Sequence, residues 1–146
     1  MEEKIYTMLQ LENQFCFPLY VCSKEVIRRY TPLLDKIGLT YTQYISMLVL
    51  WEKERVTAKE LGDTLYLDSG TLTPLLKKLE AKGLVIRKRS SIDERSLIVS
   101  LTDAGRALKE RAVDIPGQML SRANLETDEL VTLLRILHKL LDAVHE

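Results

Sequence analysis

VTAKELGDTLYLDSGTLTPLLKKLEAKGLVIRKRSSIDERSLIVSL, residues 56–101, carries two capped helices, a turn between them and an arginine-bearing hairpin without a gap. Thr57-Ala-Lys-Glu60 is a capping box, in which the threonine oxygen can accept from the Glu60 amide while the glutamate reaches back. Val56, Leu61 and Leu65 give the helix it opens an apolar stripe. After a turn at Tyr66-Leu67, either Asp68 or Ser69 can cap a second helix, where Leu72, Leu75, Leu76 and Leu79 recur at helical spacing. Gly83 ends it, and Leu84-Val-Ile86 and Leu97-Ile-Val99 read as short strands around the polar tip Ser90-Ser-Ile-Asp-Glu-Arg95. This order predicts a winged helix-turn-helix, with the second helix reading DNA and the hairpin as its wing.

Charge agrees once it is divided along the chain. The whole sequence has 21 basic and 21 acidic residues and no net charge. Residues 77–95 hold seven basic groups, Lys77, Lys78, Lys82, Arg87, Lys88, Arg89 and Arg95, against Glu80, Asp93 and Glu94. Seven less three leaves a local surplus of four positive charges, so the remainder carries four negative ones. Charge runs alone usually mean a solvated face. Coincidence with the second helix and the wing favours phosphate contact, because counterion release depends on local charge.

The fold class expected is mainly α (α+β), in one domain spanning residues 1–146. Residues of about 56–101 form the reading head, and about 6–32 and 102–146 form long helices that pair two subunits. The first of these segments, about Tyr6 to Tyr30, is apolar and ends at Thr31-Pro32, since the residue before proline is biased out of the helical region. Pro18 marks either the start of that helix or a kink in it. Thr40-Tyr-Thr-Gln43 is a further capping box, followed by the apolar face Tyr44, Met47, Leu48 and Trp51. Thr102 can cap a helix to about Val113, broken by Asp114-Ile-Pro-Gly117, with a brief resumption at Met119 and Leu120. A last helix from Thr127 carries Leu130, Leu133, Leu134, Leu137, Leu140, Leu141 and Val144 on one stripe. The first and last helices hold more apolar surface than one head can cover. They predict a homodimer that sets two reading helices about one DNA turn, roughly 34 Å, apart on a pseudo-palindrome of double-stranded DNA.

Other classes are disfavoured. No uninterrupted apolar run reaches membrane-spanning length, and the start Met-Glu-Glu-Lys has the wrong charge for a secretory leader, so a cytoplasmic protein is expected. Neither His138 nor His145 has a partner at metal-ligand spacing, and neither a metal nor another cofactor is expected. Two cysteines without export signals fit a reducing compartment.

Within the reading helix, Ser69, Thr71 and Thr73 have short hydroxyl side chains on its opening turns, able to approach base edges or phosphates, although Ser69 could equally serve as a cap. Pro74 presses on the carbonyl of Gly70, and the small residue there eases that conflict. Lys77 and Lys78 suit phosphates, and Arg87 and Arg95 at the end of the wing, beside Asp93, complete the basic set on this face. Cys16 is the candidate for chemistry. A lone cysteine in an apolar segment is often a small buried hydrophobe. If Pro18 lies in a first helical turn, however, Cys16 sits at the positive helix end, where amides and the dipole favour the thiolate, with Tyr20 on the same face. Cys22 is six residues further, about 9 Å along a helix and beyond the roughly 7 Å limit for an unstrained disulfide.

Asp68-Ser-Gly-Thr-Leu-Thr-Pro-Leu-Leu-Lys-Lys-Leu-Glu80, Gly83-Leu84 and Asp93-Glu-Arg-Ser96 together resemble the MarR family of repressors. Leu11-Glu-Asn-Gln-Phe-Cys16, Tyr20, Tyr30 with Thr-Pro-Leu-Leu-Asp-Lys36, Leu39-Thr-Tyr-Thr-Gln-Tyr44 and Ala112-Val-Asp-Ile-Pro-Gly117 resemble its organic hydroperoxide sensors, over nearly the whole chain. The resemblance implies a homodimeric repressor that leaves its operator when Cys16 is oxidised by an organic hydroperoxide. It also implies that Tyr30 and Tyr41 of the partner subunit hold the reactive sulfur, and that Arg95 enters the minor groove with Asp93 orienting it. No cysteine follows Cys22, so the chain looks like the one-cysteine type, whose switch is completed by a small cellular thiol, a backbone nitrogen or overoxidation, unless Cys22 of the partner subunit comes close. Two rival readings are a MarR-type repressor released by a noncovalent aromatic or phenolic ligand, and a thiol peroxidase using Cys16.

Overall fold

A computed structural model describes the backbone of residues 2–145 and the side chains of residues 5–145, so the charged start at residues 1–4 lies outside the described side chains. The chain forms two compact units, Met1–Ala112 and Val113–Glu146. In the first, α1 (Glu2–Thr7) and a 3-10 turn (Leu11–Asn13) precede α2 (Cys16–Asp35), α3 (Tyr41–Lys53), β1 (Arg55–Thr57), α4 (Ala58–Leu65), α5 (Ser69–Ala81), β2 (Val85–Arg89), β3 (Leu97–Leu101) and α6 (Asp103–Ala112). The second holds α7 (Ile115–Ala123) and α8 (Thr127–Val144). Winged helix-turn-helix is thus the architecture.

Local signals place the helix ends. The Thr40 and Gln43 box closes in both directions, at 3.1 and 3.3 Å. Thr57 oxygen accepts from the Glu60 amide at 3.1 Å, and Asp68, not Ser69, caps α5 by accepting from the Thr71 amide at 2.8 Å. At the far end of α5, Gly83 takes a positive φ of 77°, and the Leu84 and Gly83 amides return to the Leu79 and Glu80 carbonyls at 3.1 and 2.9 Å. This Schellman closure turns the chain into β2.

Four expectations needed correction. Val56 belongs to a third strand, β1, and does not face the core from α4; it pairs with Val99 in an antiparallel sheet of order β1-β3-β2. Three residues are too few to show strand periodicity, and only pairing with β3 makes them one. The strands flanking the wing are also displaced: β2 starts at Val85 and runs to Arg89, and β3 continues to Leu101. α2 does not end at Thr31 but runs through Pro32. Leu33 and Leu34 are buried beyond the proline and hold the last turn, although Pro32, itself exposed, has no amide hydrogen to give the Arg28 carbonyl four residues earlier. Finally, Asp114-Ile-Pro-Gly117 is not a long break: α7 starts at Ile115 with Pro116 in its first turn, where a missing amide hydrogen costs little.

The core of the first unit gathers Leu34, Met47, Leu50, Leu61, Leu76, Leu79, Val85 and Val99, all nearly inaccessible. Gly105 of α6 lies against Leu84, the residue before β2, where an added Cβ would stand 2.2 Å from the Leu84 carbonyl oxygen. Its own carbonyl accepts from the buried Trp51 indole at 2.9 Å. Gly105→Ala must push α6 off the sheet and strain that bond, so a loss of about 1–3 kcal/mol or more is expected. Thermal melting checks this, and an unchanged Tm contradicts it.

Elsewhere apolar surface stays uncovered. On α2 only Leu33 and Leu34 are buried, while Phe17, Leu19, Val26 and Ile27 are exposed. In the second unit α8 buries no residue despite its leucine stripe. Among the described residues no helix is long and apolar enough to cross a membrane.

Candidate functional site

The reading face is built on α5 and the wing. Because Asp68 does the capping, the exposed Ser69, Thr71 and Thr73 are free of that duty. Lys77 and Lys78 are also exposed. Gly70 is not demanded by the Pro74 ring: an added Cβ there would meet only Asp68 Oδ1, at an ordinary 3.4 Å.

Arg87 behaves differently from its neighbours. Its side chain is 19% exposed and its guanidinium donates to Glu80 at 3.1 Å, while its amide donates to the other carboxylate oxygen at 3.1 Å. The pairing holds the Glu80 carboxyl below its ordinary range, chiefly through the side-chain hydrogen bond from Arg87. Arg87 therefore braces β2 to α5. Since the pair cancels internally, the local surplus of four rests on Lys77, Lys78, Lys82, Lys88, Arg89 and Arg95, less Asp93 and Glu94, all exposed.

In the wing, Asp93 orders the backbone around Arg95 and not its guanidinium. One carboxylate oxygen accepts from the Arg95 amide at 3.0 Å, the other from the Ser96 hydroxyl at 3.4 Å, and the Asp93 carbonyl from the Ser96 amide at 2.9 Å. Among the described residues the Arg95 side chain has no ion pair, and its charge is exposed at the wing tip.

Cys16 is the first residue of α2, with Pro18 inside the first turn, and it is exposed. Tyr20 follows one turn later and is 59% exposed. Its ring lies against the Lys24 ammonium at 4.6 Å, and among the described residues its hydroxyl gives Cys16 no hydrogen bond. Tyr30 and Tyr41 come together, ring centroids 5.1 Å apart, at the opposite end of α2. Fourteen residues of helix separate Tyr30 from Cys16, about 21 Å, so a chain's own pair cannot touch its own sulfur. Cys22 is exposed on the same unbroken helix, and the spacing of about 9 Å from Cys16 therefore applies.

Tyr44, assigned from sequence to the apolar face, completes the cluster. It is 3% exposed, 5.7 Å from the Tyr30 ring and 6.5 Å from Trp51. Burial first, then the proximity of Tyr41, pushes the Tyr30 phenol above its ordinary value. Burial likewise raises Tyr44, with smaller effects from Tyr30 and Tyr41. Both phenols thus keep their protons, and hence donor capacity, throughout the neutral range. Among the described residues no group of histidine, cysteine and carboxylate side chains could hold a metal ion.

Residues 28–112 match the family model described as transcriptional regulator SarA/Rot. The organic hydroperoxide resistance transcriptional regulator of Bacillus subtilis is 51% identical over 146 residues, covering 100% of this chain and 99% of that one. Among solved structures, reduced AbfR bound to DNA is 36% identical with a TM-score of 0.84, covering 100% of both chains; AbfR is a Staphylococcus epidermidis protein. Against the disulfide form of AbfR the TM-score is 0.65 at 33% identity, covering 99% of this chain and 97% of that one. A MarR variant from E. coli complexed with operator DNA is 27% identical with a TM-score of 0.74, covering 84% of this chain and 90% of that one. With a regulator matched end to end and a winged helix-turn-helix in place, the chain belongs to the SarA/Rot family of transcriptional regulators, within the MarR-like winged-helix proteins.

Proposed function

We propose that this protein is a homodimeric DNA-binding repressor that leaves its operator when an organic hydroperoxide oxidises Cys16. One observation carries the reading: an exposed cysteine opens α2 while a tyrosine cluster stands about 21 Å away at its other end, on a chain with uncovered apolar helices. Two antiparallel copies of α2 would bring each sulfur to the other copy's Tyr30 and Tyr41. The names of the relatives support the same function, since one is an organic hydroperoxide resistance regulator and AbfR has reduced, DNA-bound and disulfide forms.

The chemistry is a two-electron oxidation. The Cys16 thiolate attacks one peroxide oxygen, the S–O bond forms as the O–O bond breaks, and the alkoxide leaves as an alcohol after taking a proton. Sulfur becomes a sulfenic acid and the hydroperoxide is reduced to the alcohol. A low-molecular-weight thiol then condenses with it, giving a mixed disulfide and water. Tyr30 and Tyr41 donate hydrogen bonds that orient the sulfur. Added bulk on it disturbs the tyrosine-lined contact, and the reading heads lose the spacing that a palindrome requires.

On DNA, Ser69, Thr71 and Thr73 approach the major groove, Lys77 and Lys78 take phosphates, and Arg95 enters the minor groove. α2 with the N-terminal segment and α8 with α7 form the dimer contacts. The protein acts in the cytoplasm, where DNA and reduced thiols coexist, and it is not an enzyme: its sulfur is consumed once per signal.

Cys22→Ser tests the assignment of the sulfur. The variant is expected to leave a palindromic duplex at the same hydroperoxide dose as the wild type, within about twofold by gel shift, because Cys22 lies outside the reach of Cys16. Loss of its response would move the chemistry to Cys22. Sustained hydroperoxide consumption with a dithiol would instead mark a thiol peroxidase.

A further inference from the structure

Lys82, the residue that caps the C-terminal end of the reading helix, is joined to the tyrosine-bearing end of α3. Its Nζ donates to the Gly38 carbonyl in the turn between α2 and α3, and to Gln43 Oε1 at 3.0 Å. That same oxygen accepts from the Thr40 amide at 3.1 Å in the capping box that starts α3. Gln43 is 3% exposed and lies between Tyr41 and Tyr44 in sequence. One buried amide oxygen is therefore shared by the sensing end of α3 and the far end of α5.

We propose that Lys82 is a positioning residue that couples the tyrosine cluster to the reading helix. The inference rests on the peroxide-sensing function proposed above and assigns the route by which that site reaches DNA. A shift of Tyr41 and Tyr44 displaces the first turn of α3, and with it Gln43. The ammonium must then either lose the Gln43 oxygen or carry the end of α5 along. The Schellman closure at Gly83 makes the second course stiff, because the Lys82 backbone is fixed by bonds to Lys78 and Glu80 carbonyls. A cation is also favoured at this helix end by the negative pole of the helix dipole. The contact thus persists as α3 moves, and α5 follows.

The test measures Kd for a duplex enriched by the wild-type protein from a random pool, before and after stoichiometric cumene hydroperoxide. It is applied to wild type, Lys82→Met, Lys82→Gln and Lys82→Arg, with Cys16 oxidation rates followed by mass spectrometry. Both neutral variants are expected to shrink the ratio of oxidised to reduced Kd about tenfold while Cys16 oxidises at the wild-type rate, and Lys82→Arg is expected to restore most of the ratio. If Lys82 only contacts phosphate, both Kd values rise by one factor and the ratio is unchanged, which overturns the proposal. A purely structural role lowers Tm and leaves the ratio intact, which also overturns it. Should Lys82→Met fail to fold, Lys82→Gln decides alone. A wild-type ratio of one would defeat the sensing function itself, whereas a large wild-type ratio kept by both neutral variants defeats only the Lys82 coupling.

Discussion

Cys16→Ser is expected to bind the duplex as the wild type does and to stay bound when cumene hydroperoxide is added. Oxygen replaces sulfur at an exposed helix start, so packing in the reduced form changes little. A serine hydroxyl is a poor nucleophile without an adjacent base, and among the described residues no histidine or carboxylate hydrogen-bonds to this position. Wild-type release requires only that oxidation weaken binding by a common allosteric factor, roughly 5–150-fold. The variant should show none of it. A gel shift across a hydroperoxide titration reads the difference directly, and a Cys16→Ser protein that leaves its DNA at the wild-type dose would remove the sulfur from the account.

Arg95→Ala should weaken reduced binding by more than about tenfold without lowering Tm. Its charge stands at a wing tip whose backbone is ordered through Asp93, so truncation leaves the hairpin bonds in place. The negative potential of a narrow minor groove attracts such a side chain. A loss of only about 1 kcal/mol per wing, doubled in a dimer, passes the roughly 1.4 kcal/mol that makes a tenfold change. Fluorescence anisotropy at fixed ionic strength measures it, since salt alone shifts such affinities by orders of magnitude. Binding within twofold of wild type would leave Arg95 as an ordinary solvated charge.

The caps at Thr40, Thr57 and Gly83 were legible in the sequence because their partners lie within a few residues, and they place the reading head, whereas the choice of Asp68 over Ser69 needed the structure. β1 was not, because Arg55-Val-Thr57 becomes a strand only by pairing with Ile98, Val99 and Ser100, more than forty residues on. The same holds at the site. Ser69, Thr71, Thr73, Lys77 and Lys78 fall on the exposed face that helical spacing predicts. Arg87 carries the same charge as its neighbours but is drawn to Glu80 from another element, which composition cannot reveal. Tyr44 follows the apolar periodicity of α3, and only the fold stacks it beside Tyr30. Lys82 and Gln43, 39 residues apart, looked like a surface charge and a cap until the fold joined them. Proline rules misled where burial just beyond the proline held the last turn of the helix, as at Pro32.

The most direct measurement follows one DNA-bound sample in two ways as substoichiometric cumene hydroperoxide is added: anisotropy of a labelled duplex, and intact and peptide mass at Cys16. The account predicts that DNA is released in proportion to the fraction of dimers whose Cys16 has gained an oxygen or a thiol adduct, with Cys22 unmodified. Full modification of Cys16 with the duplex still bound would contradict it.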